Sequence, residues 1–398
     1  MENEFEKGFI AGYLLNCNSD NTPKPGPNPW IYPNSWLKLP EPADNQIIML
    51  VDNKGGMPSE AISYSININL NNDSVSSETK IDWGDKTSID NTFSHTYEPE
   101  TGHKTTKSEQ WIVTITFDKN LETGTEYLKS IALSTIGMFV LAIKIGNTEY
   151  VRDKIDCKDS NLQYVKICRG EFNFVFSNIS NLYQVELHKK ITKIPDKAFY
   201  TAYNLIYINL ENITEIGARA FYMCINMDFS GKMPKLKTIG NTGFTYTKTS
   251  SLEFPSLETI GDHAFSYCYN LKKAICTSEA LKTIGQYAFV GCETLQIVDL
   301  PYVTEIGQRA FQTCNALETV NLPLVTKIGI YCFLNNYSLT TVDLKSCTDI
   351  GGYLFNGCYS LDHCILPASV NISDPKVIGQ NFNDIVEIEH GKEENVNA

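Results

Sequence analysis

Down the second half of the chain, apolar and small residues return in one fixed order, Ile-Gly-x-x-Ala-Phe-x-x-Cys-x-x-Leu-x-x-Val-x-Leu-Pro. The cleanest copy runs from Ile306, Gly307, Ala310, Phe311 and Cys314 to Leu317, Val320, Leu322 and Pro323. The aligned phenylalanines are Phe199, Phe221, Phe244, Phe265, Phe289, Phe311, Phe333 and Phe355, at intervals of 22, 23, 21, 24, 22, 22 and 22 residues. A period in the twenties marks a solenoid, in which each coil buries its apolar face only against its neighbours. Within a coil, Val298 and Leu300 follow strand alternation and point one way, while Ile297 and Asp299 point the other. Pro301 ends the strand, having no N–H to give a ladder. Ile306-Gly307 is expected to turn the chain, and Ala310, Phe311 and Cys314 to bring it back as a short helical or 3₁₀ turn. Stacked coils then form one parallel sheet, with strands about 4.8 Å apart and eight coils spanning roughly 40 Å.

The array degrades toward its start. Phe176, Ile179, Leu182, Val185 and Leu187 make an earlier coil in which Ile191 to Ile194 replace the Ile-Gly turn. A half-coil at Leu162, Val165 and Ile167 is expected to cap the stack. In the Phe244 coil, Thr247 replaces Cys and the leucine slips to Leu252, which predicts a local bend or bulged loop. On these residues the chain closely resembles the BspA-like leucine-rich repeat family, from Leu162 to about Leu366. The resemblance implies a right-handed repeat solenoid of the kind found in surface adhesins and interaction proteins of bacteria, some protists and phages. It carries over no catalytic residue.

Upstream, the period changes. Phe5, Phe9 and Tyr13, with Ile10 and Leu14, recur at helical spacing and predict a short amphipathic helix over residues 1–15. The stretch Pro23-Lys24-Pro25-Gly26-Pro27-Asn28-Pro29 reads as a semi-rigid polyproline-type linker. From about Ala43 to Phe117 the pattern turns to β, with Ile62, Tyr64, Ile66, Ile68 and Leu70 alternating with polar residues. Between the strands lie Asp82-Trp83-Gly84-Asp85 and His95-Thr96-Tyr97. This pairing resembles the signature of PKD-type, immunoglobulin-like β-sandwiches, although Glu109-Gln110-Trp111-Ile112-Val113 stands where those usually carry Gly-x-Tyr-x-Val. In that setting Trp83 fills the core, Gly84 permits the turn and Asp85 accepts backbone N–H groups. Two other readings stay open: His95 with Asp85 as a catalytic pair, and calcium at Asp82 and Asp85, which falls well short of six oxygen ligands. Residues 131–143 are apolar over a run too short to span a bilayer and read as buried strand.

The expected fold class is thus β-rich and multidomain: an N-terminal Ig/PKD-like β-sandwich, then a leucine-rich-repeat solenoid with one parallel β-sheet. Residues 1–22 form a docking helix or tail, 23–42 the Pro-rich linker and 43–120 the sandwich. Residues 121–156 form connecting strands, 157–370 the solenoid and 371–398 a C-terminal cap and acidic tail. The connecting strands are expected to join sandwich and solenoid into one rigid rod.

Composition narrows the function. A formal net charge of −13 with no Lys/Arg cluster argues against nucleic acid and against a bare anionic membrane. Of twelve cysteines, Cys224, Cys268, Cys292, Cys314 and Cys358 share one repeat position, held elsewhere by Ala202, Thr247 and Asn336. A position accepting Ala, Thr, Asn or Cys asks for a small side chain, so these read as reduced, buried thiols. The acidic start, Met1-Glu2-Asn3-Glu4, is unlike a secretory signal. With six histidines and no HExxH, GxSxG, P-loop or Rossmann motif, the chain reads as a non-enzyme with no cofactor and no metal. The candidate binding surface is the outward face of the sheet: Tyr207 and Asn209, Lys273 and Ile275, Ile297 and Asp299, Thr319 and Asn321, Thr341 and Asp343, His363 and Ile365. Expected partners are a protein or glycan on a host or partner surface, and other virion proteins docked through Phe5, Phe9 and Tyr13. The expected setting is a virion surface, as a phage host-attachment or decoration protein; a bacterial cell-surface adhesin and a scaffold or cytosolic interaction protein are the alternatives.

Overall fold

The computed structural model describes residues 33–53, 64–70, 79–86, 89, 94–97, 103–104, 109–117, 128–136, 138–148, 151–156, 161–172, 175–176, 179–231, 233–367 and 387–390. The docking tip with Phe5, Phe9 and Tyr13 lies outside the described residues, as does the proline-rich segment 23–32. The strands of the first part are β1 (Gln46–Asn53), β2 (Tyr64–Leu70), β3 (Lys80–Asp82), β4 (Ser94–Tyr97) and β5 (His103–Lys104). They continue with β6 (Glu109–Thr116), β7 (Leu128–Ile136), β8 (Met138–Ile145) and β9 (Val151–Asp156). The first parallel coil strands are β10 (Tyr164–Ile167) and β11 (Gln184–Glu186). Among the described residues there is no α-helix.

β1 is apolar nearly throughout because both its faces are covered. Ile47, Met49 and Val51 join the main core, while Ile48 and Leu50 face a second, smaller one. That second core is closed by Leu39, with Trp36 and Leu37 packed on it, so residues 36–39 are a strap on the sheet rather than part of a free linker. β1 pairs antiparallel with β6 and β8. β8 then pairs in parallel with β10, setting Ile143 opposite Val165. The order β3-β6-β1-β8-β10-β11 runs on to Tyr207–Ile208, so one sheet passes without a break from the N-terminal strands into the solenoid. A second sheet, β4-β2-β7-β9, contributes Tyr97 to the contact between the two, its ring 4.6 Å from that of Trp111.

Each coil carries two short parallel strands, not one. The Val-x-Leu segment forms a front sheet from Ser251–Glu253 through Lys273–Ile275, Ile297–Asp299, Thr319–Asn321, Thr341–Asp343 and His363–Leu366 to Glu387–His390. The segment expected to be the Ile-Gly turn forms a back sheet of eight two-residue strands, Lys193–Ile194 to Asp349–Ile350. Its isoleucines point into the core, and its glycines are required by proximity. A Cβ on Gly329 would lie 2.3 Å from the backbone nitrogen of Gln308 in the preceding coil. Within the segment expected to form the C-terminal cap, Glu387–His390 pairs in parallel register with His363–Leu366.

The third side is neither helical nor 3₁₀ but a ladder of turns. Two residues per coil, such as Arg309 (φ 54°) and Thr313 (φ 58°), take positive φ. That conformation aims alternate N–H groups along the stack: Arg309, Phe311 and Thr313 donate to the carbonyls of Ile330, Cys332 and Leu334 in the next coil. Inside, the phenylalanines form a continuous column from Phe172 to Phe355, successive rings within 5.2 to 6.3 Å and near parallel. Burying each is worth about 1.5–3 kcal/mol.

The irregularity expected in the Phe244 coil lies one coil earlier. Ser251–Glu253 of the Phe244 coil is a regular front strand in register with Lys273–Ile275, and the break falls in the Phe221 coil, between Tyr207–Ile208 and Ser251–Glu253. Ser230 stands where Val298 and Val320 stand in regular coils, and residues 226–229 form no strand. Asp228 and Ser230 instead bind Ser250 through side chains, and Phe229 fills the interior between Phe221 and Phe244.

Candidate functional site

The front sheet sets ten of the twelve candidate contact residues in register. Lys273, Ile297, Thr319, Thr341 and His363 form one outward column, and Ile275 and Asp299 face Asn321 as Asp343 faces Ile365 in a second. Alternation puts them outside because Ala274, Val298, Val342 and Cys364 between them are buried. All ten are exposed or half-exposed. Tyr207 and Asn209 do not join them: the break at residues 226–229 leaves them on the preceding sheet. Asn209 is also committed to structure, since its amide donates to Leu187 O and its oxygen accepts the Leu187 N–H across the coil gap.

The back face carries several cross-coil side-chain pairs, although Thr238, Thr259, Thr283 and Glu305 on its strands have no side-chain partner among the described residues. On the back, Lys193 pairs with Glu215, Lys237 with Glu258 and Lys327 with Asp349. Thr214, Thr304, Thr326 and Thr348 each donate to a carbonyl of the coil before. On the front, Asn321 donates to Asp299 and Lys345 pairs with Asp343. Lys273, Ile297, Thr319, Thr341 and His363 have no side-chain hydrogen bond or ion pair among the described residues.

Two features of the turn side escaped sequence reasoning. The first is the cysteine column. Cys224, Cys268, Cys292, Cys314 and Cys358 each donate S–H to the carbonyl of the phenylalanine one coil earlier, at 3.1 to 3.3 Å. Asn336 does the same with its amide at 2.9 Å. Where Cys or Asn stands, the position supplies a donor as well as a small volume, while Thr247 bonds Thr249 and Cys268 instead and Ala202 only fills space. The described cysteines are free thiols, and burial pushes Cys268 up to about 11 and Cys358 up to about 12. The second is an aromatic ladder on the left-handed positions. His263 stacks on Tyr287 at 4.6 Å, Arg309 lies over Tyr287 and Tyr331, and Tyr331 stacks on Tyr353 at 5.1 Å. Glycine at 291 and 357 in the companion left-handed column is the sequence signal for this backbone.

In the first part of the chain, Trp83 is buried and Gly84 takes φ +79° with its N–H bound by Asp82. Asp85 meets His95 at 2.6 Å, and His95 stacks on Trp83 at 5.0 Å. Tyr97 donates to the Trp83 carbonyl, and burial together with Asp85 and Asp82 pushes its phenol well above the usual range. Glu41 ties the strap to the sheet, bonding Lys144 of β8 and Lys166 of β10. The Lys144 hydrogen bond leads the effects that hold Glu41 below the usual carboxylate range against the cost of burial. Among the described residues no group of three or more His, Cys, Asp or Glu is placed to hold a metal, and no helix is long and apolar enough to cross a membrane.

Residues 172–272 and 258–382, more than half of the chain, match the BspA type leucine rich repeat region in six copies. The protein belongs to that family. Among solved structures, a leucine-rich repeat protein from Eubacterium ventriosum is 17% identical over 61% of this chain and 68% of its own, with a TM-score of 0.39. A leucine rich cell surface protein from Faecalibacterium prausnitzii is 16% identical over 64% of this chain and 94% of its own, with a TM-score of 0.31. The pneumococcal vaccine antigen PcpA is 17% identical over 58% of this chain and 63% of its own, with a TM-score of 0.34. No curated protein matches the chain.

Proposed function

We propose that this chain is a non-enzymatic binding protein that presents the front sheet of its solenoid to a protein or glycan on another surface. The observation that carries the reading is the front column itself. Lys273, Ile297, Thr319, Thr341 and His363 stand in register on five consecutive strands and make no side-chain hydrogen bond or ion pair among the described residues, whereas on the back Lys193 is paired with Glu215 and Lys327 with Asp349. Alternating Thr, Asn and Asp with Ile suits a partner that offers both hydrogen-bonding and apolar patches. The Asp85–His95 pair is read as structural, because His95 is stacked on Trp83 and Asp85 is buried. The N-terminal strands are proposed to be a PKD-like spacer, a reading supported by Trp83 in the core and the Gly84 turn. Family membership supports a place on a bacterial cell surface as an adhesin. The finer reading, a virion host-attachment or decoration protein, is supported by the modular order of docking tip, linker, spacer and blade in the sequence.

The test uses the labelled full-length protein on a panel of intact bacterial cells and mucin- and collagen-coated surfaces. Saturable binding to at least one is expected. The triple variant Ile297→Lys, Thr319→Lys, Thr341→Lys should weaken it at least tenfold with an unchanged melting curve, whereas Thr238→Lys, Thr259→Lys, Thr283→Lys on the back should leave it intact. Undiminished binding by the front variant would refute the assignment.

A further inference from the structure

A cavity lies on the turn side of the coils. It spans the coils of Phe199, Phe221, Phe244 and Phe265, has a volume of about 420 Å³ and is lined by Asp196, Lys197, Ala218, Arg219, Asn241, Thr242, Asp262 and His263. These are two adjacent columns, the residue after the repeat glycine position and the left-handed residue that follows, with φ of 56°, 57°, 61° and 55° at Lys197, Arg219, Thr242 and His263. Four coils at about 4.8 Å per step give an opening roughly 14 Å long.

The first column faces the cavity with fixed polar groups, carboxylate oxygens at Asp196 and Asp262 and an amide N–H donor at Asn241. Asp196, Asn241 and Asp262 each use one oxygen to bind a backbone N–H of the next coil, at 2.7, 3.0 and 2.8 Å. That bond fixes the side chain and leaves its second polar atom without a partner among the described residues. At Ala218 the column lacks such a group, and this gap deepens the cavity. The second column supplies donors: Lys197 and Arg219 have no side-chain partner among the described residues, and Thr242 adds a hydroxyl. At the far end His263 lies flat on Tyr287, so its free ring face closes the cavity. Beyond it the same column is filled by Tyr287, Arg309, Tyr331 and Tyr353, which is why the opening stops there.

We propose that this cavity binds a linear oligosaccharide. Each sugar hydroxyl both donates and accepts, matching a wall that mixes the carboxylate acceptors of Asp196 and Asp262 with the donors of Asn241, Lys197 and Arg219 at coil spacing, and a flat ring at one end suits the apolar face of a pyranose. The walls hold no large exposed apolar side chain that would anchor a peptide or a lipid. The site lies on a different side of the coil from the front sheet, so it stands or falls independently of the proposed function above.

The experiment is calorimetric titration of the full-length protein with four hexasaccharides: maltohexaose, cellohexaose, chitohexaose and hexagalacturonate. At least one is expected to bind with a Kd below 1 mM on the order typical of shallow polar sites. Arg219→Ala and Asp262→Asn should each weaken it about tenfold, and Ala218→Tyr, which fills the gap, should abolish it; Ile297→Lys on the front sheet should not change it. Preferential binding of hexagalacturonate would mark Lys197 and Arg219 as carboxylate contacts within the same site. Absence of binding by all four, or binding that survives Ala218→Tyr in a protein with a native melting curve, would overturn the proposal.

Discussion

At the scale of single residues, the repeat is governed by hydrogen-bond accounting inside a dry core. Every coil turn leaves a phenylalanine carbonyl buried, and an unsatisfied buried acceptor costs about 1–3 kcal/mol. The carbonyls of Phe199, Phe244, Phe265 and Phe289 each accept one backbone N–H from their own turn, and the thiols of Cys224, Cys268, Cys292 and Cys314 add a second donor, as Cys358 does at Phe333, which alanine in much the same space could not. Read as letters, Cys and Asn share only small size with Ala202 and Thr247; the donor role of Cys and Asn appears once the preceding coil's carbonyl is seen above them. Asn336 provides the test. Its amide donates to Phe311 O, and its oxygen accepts the Cys314 N–H, both buried. Asn336→Ala is expected to destabilise the protein by about 2 kcal/mol, from two buried side-chain hydrogen bonds lost and the small cavity left behind. Asn336→Cys should cost less than half of that, because its thiol can donate to Phe311 O while Cys314 N–H bonds the same carbonyl, as Cys314 Sγ and Cys292 N–H share Phe289 O. Urea unfolding of the two variants, compared with the parent, measures the difference.

At the scale of elements, the front strand was legible because Val298-x-Leu300 alternates and a proline closes it. The back strand was not, because two residues such as Glu305-Ile306 are too short for alternation to register, and Ile-Gly reads as a turn. What makes the segment a strand is nonlocal: the coil before it lies so close that only glycine fits. Gly329→Ala would press a Cβ to 2.3 Å from Gln308 N, against backbone that cannot rotate away. The expected cost is about 1–3 kcal/mol. Since each coil touches only its neighbours, hydrogen exchange should speed up over the Phe311 and Phe333 coils and stay unchanged at β1 and β6. Uniform loss of protection across the chain would contradict this local account. The turn side was likewise hidden, since left-handed residues such as Tyr287, Arg309 and Tyr331 carry no local signature; glycines 291 and 357 in the neighbouring column are the only hint.

At the scale of the whole molecule, the sequence suggested two folds joined by connecting strands, and the structure makes them share one sheet. The junction could not be read locally, because it rests on β8 lying between β1 and β10, residues more than ninety apart in places along the chain. Glu41 secures the same seam from outside through Lys144 and Lys166. The shared sheet and the continuous phenylalanine column hold the coils in a fixed register, so the front column presents Lys273, Ile297, Thr319, Thr341 and His363 as one surface. The back face, with its lysines paired to Glu215, Glu258 and Asp349, has less to offer a partner. Lysine footprinting reads this division directly without altering a residue. The protein is acetylated at limiting reagent, free and bound to whichever panel surface retains it, and Lys273 on the front is compared with Lys237, Lys282 and Lys327 on or beside the back. Recognition through the front sheet predicts strong protection of Lys273 alone; protection of the back lysines with Lys273 still reactive would contradict it.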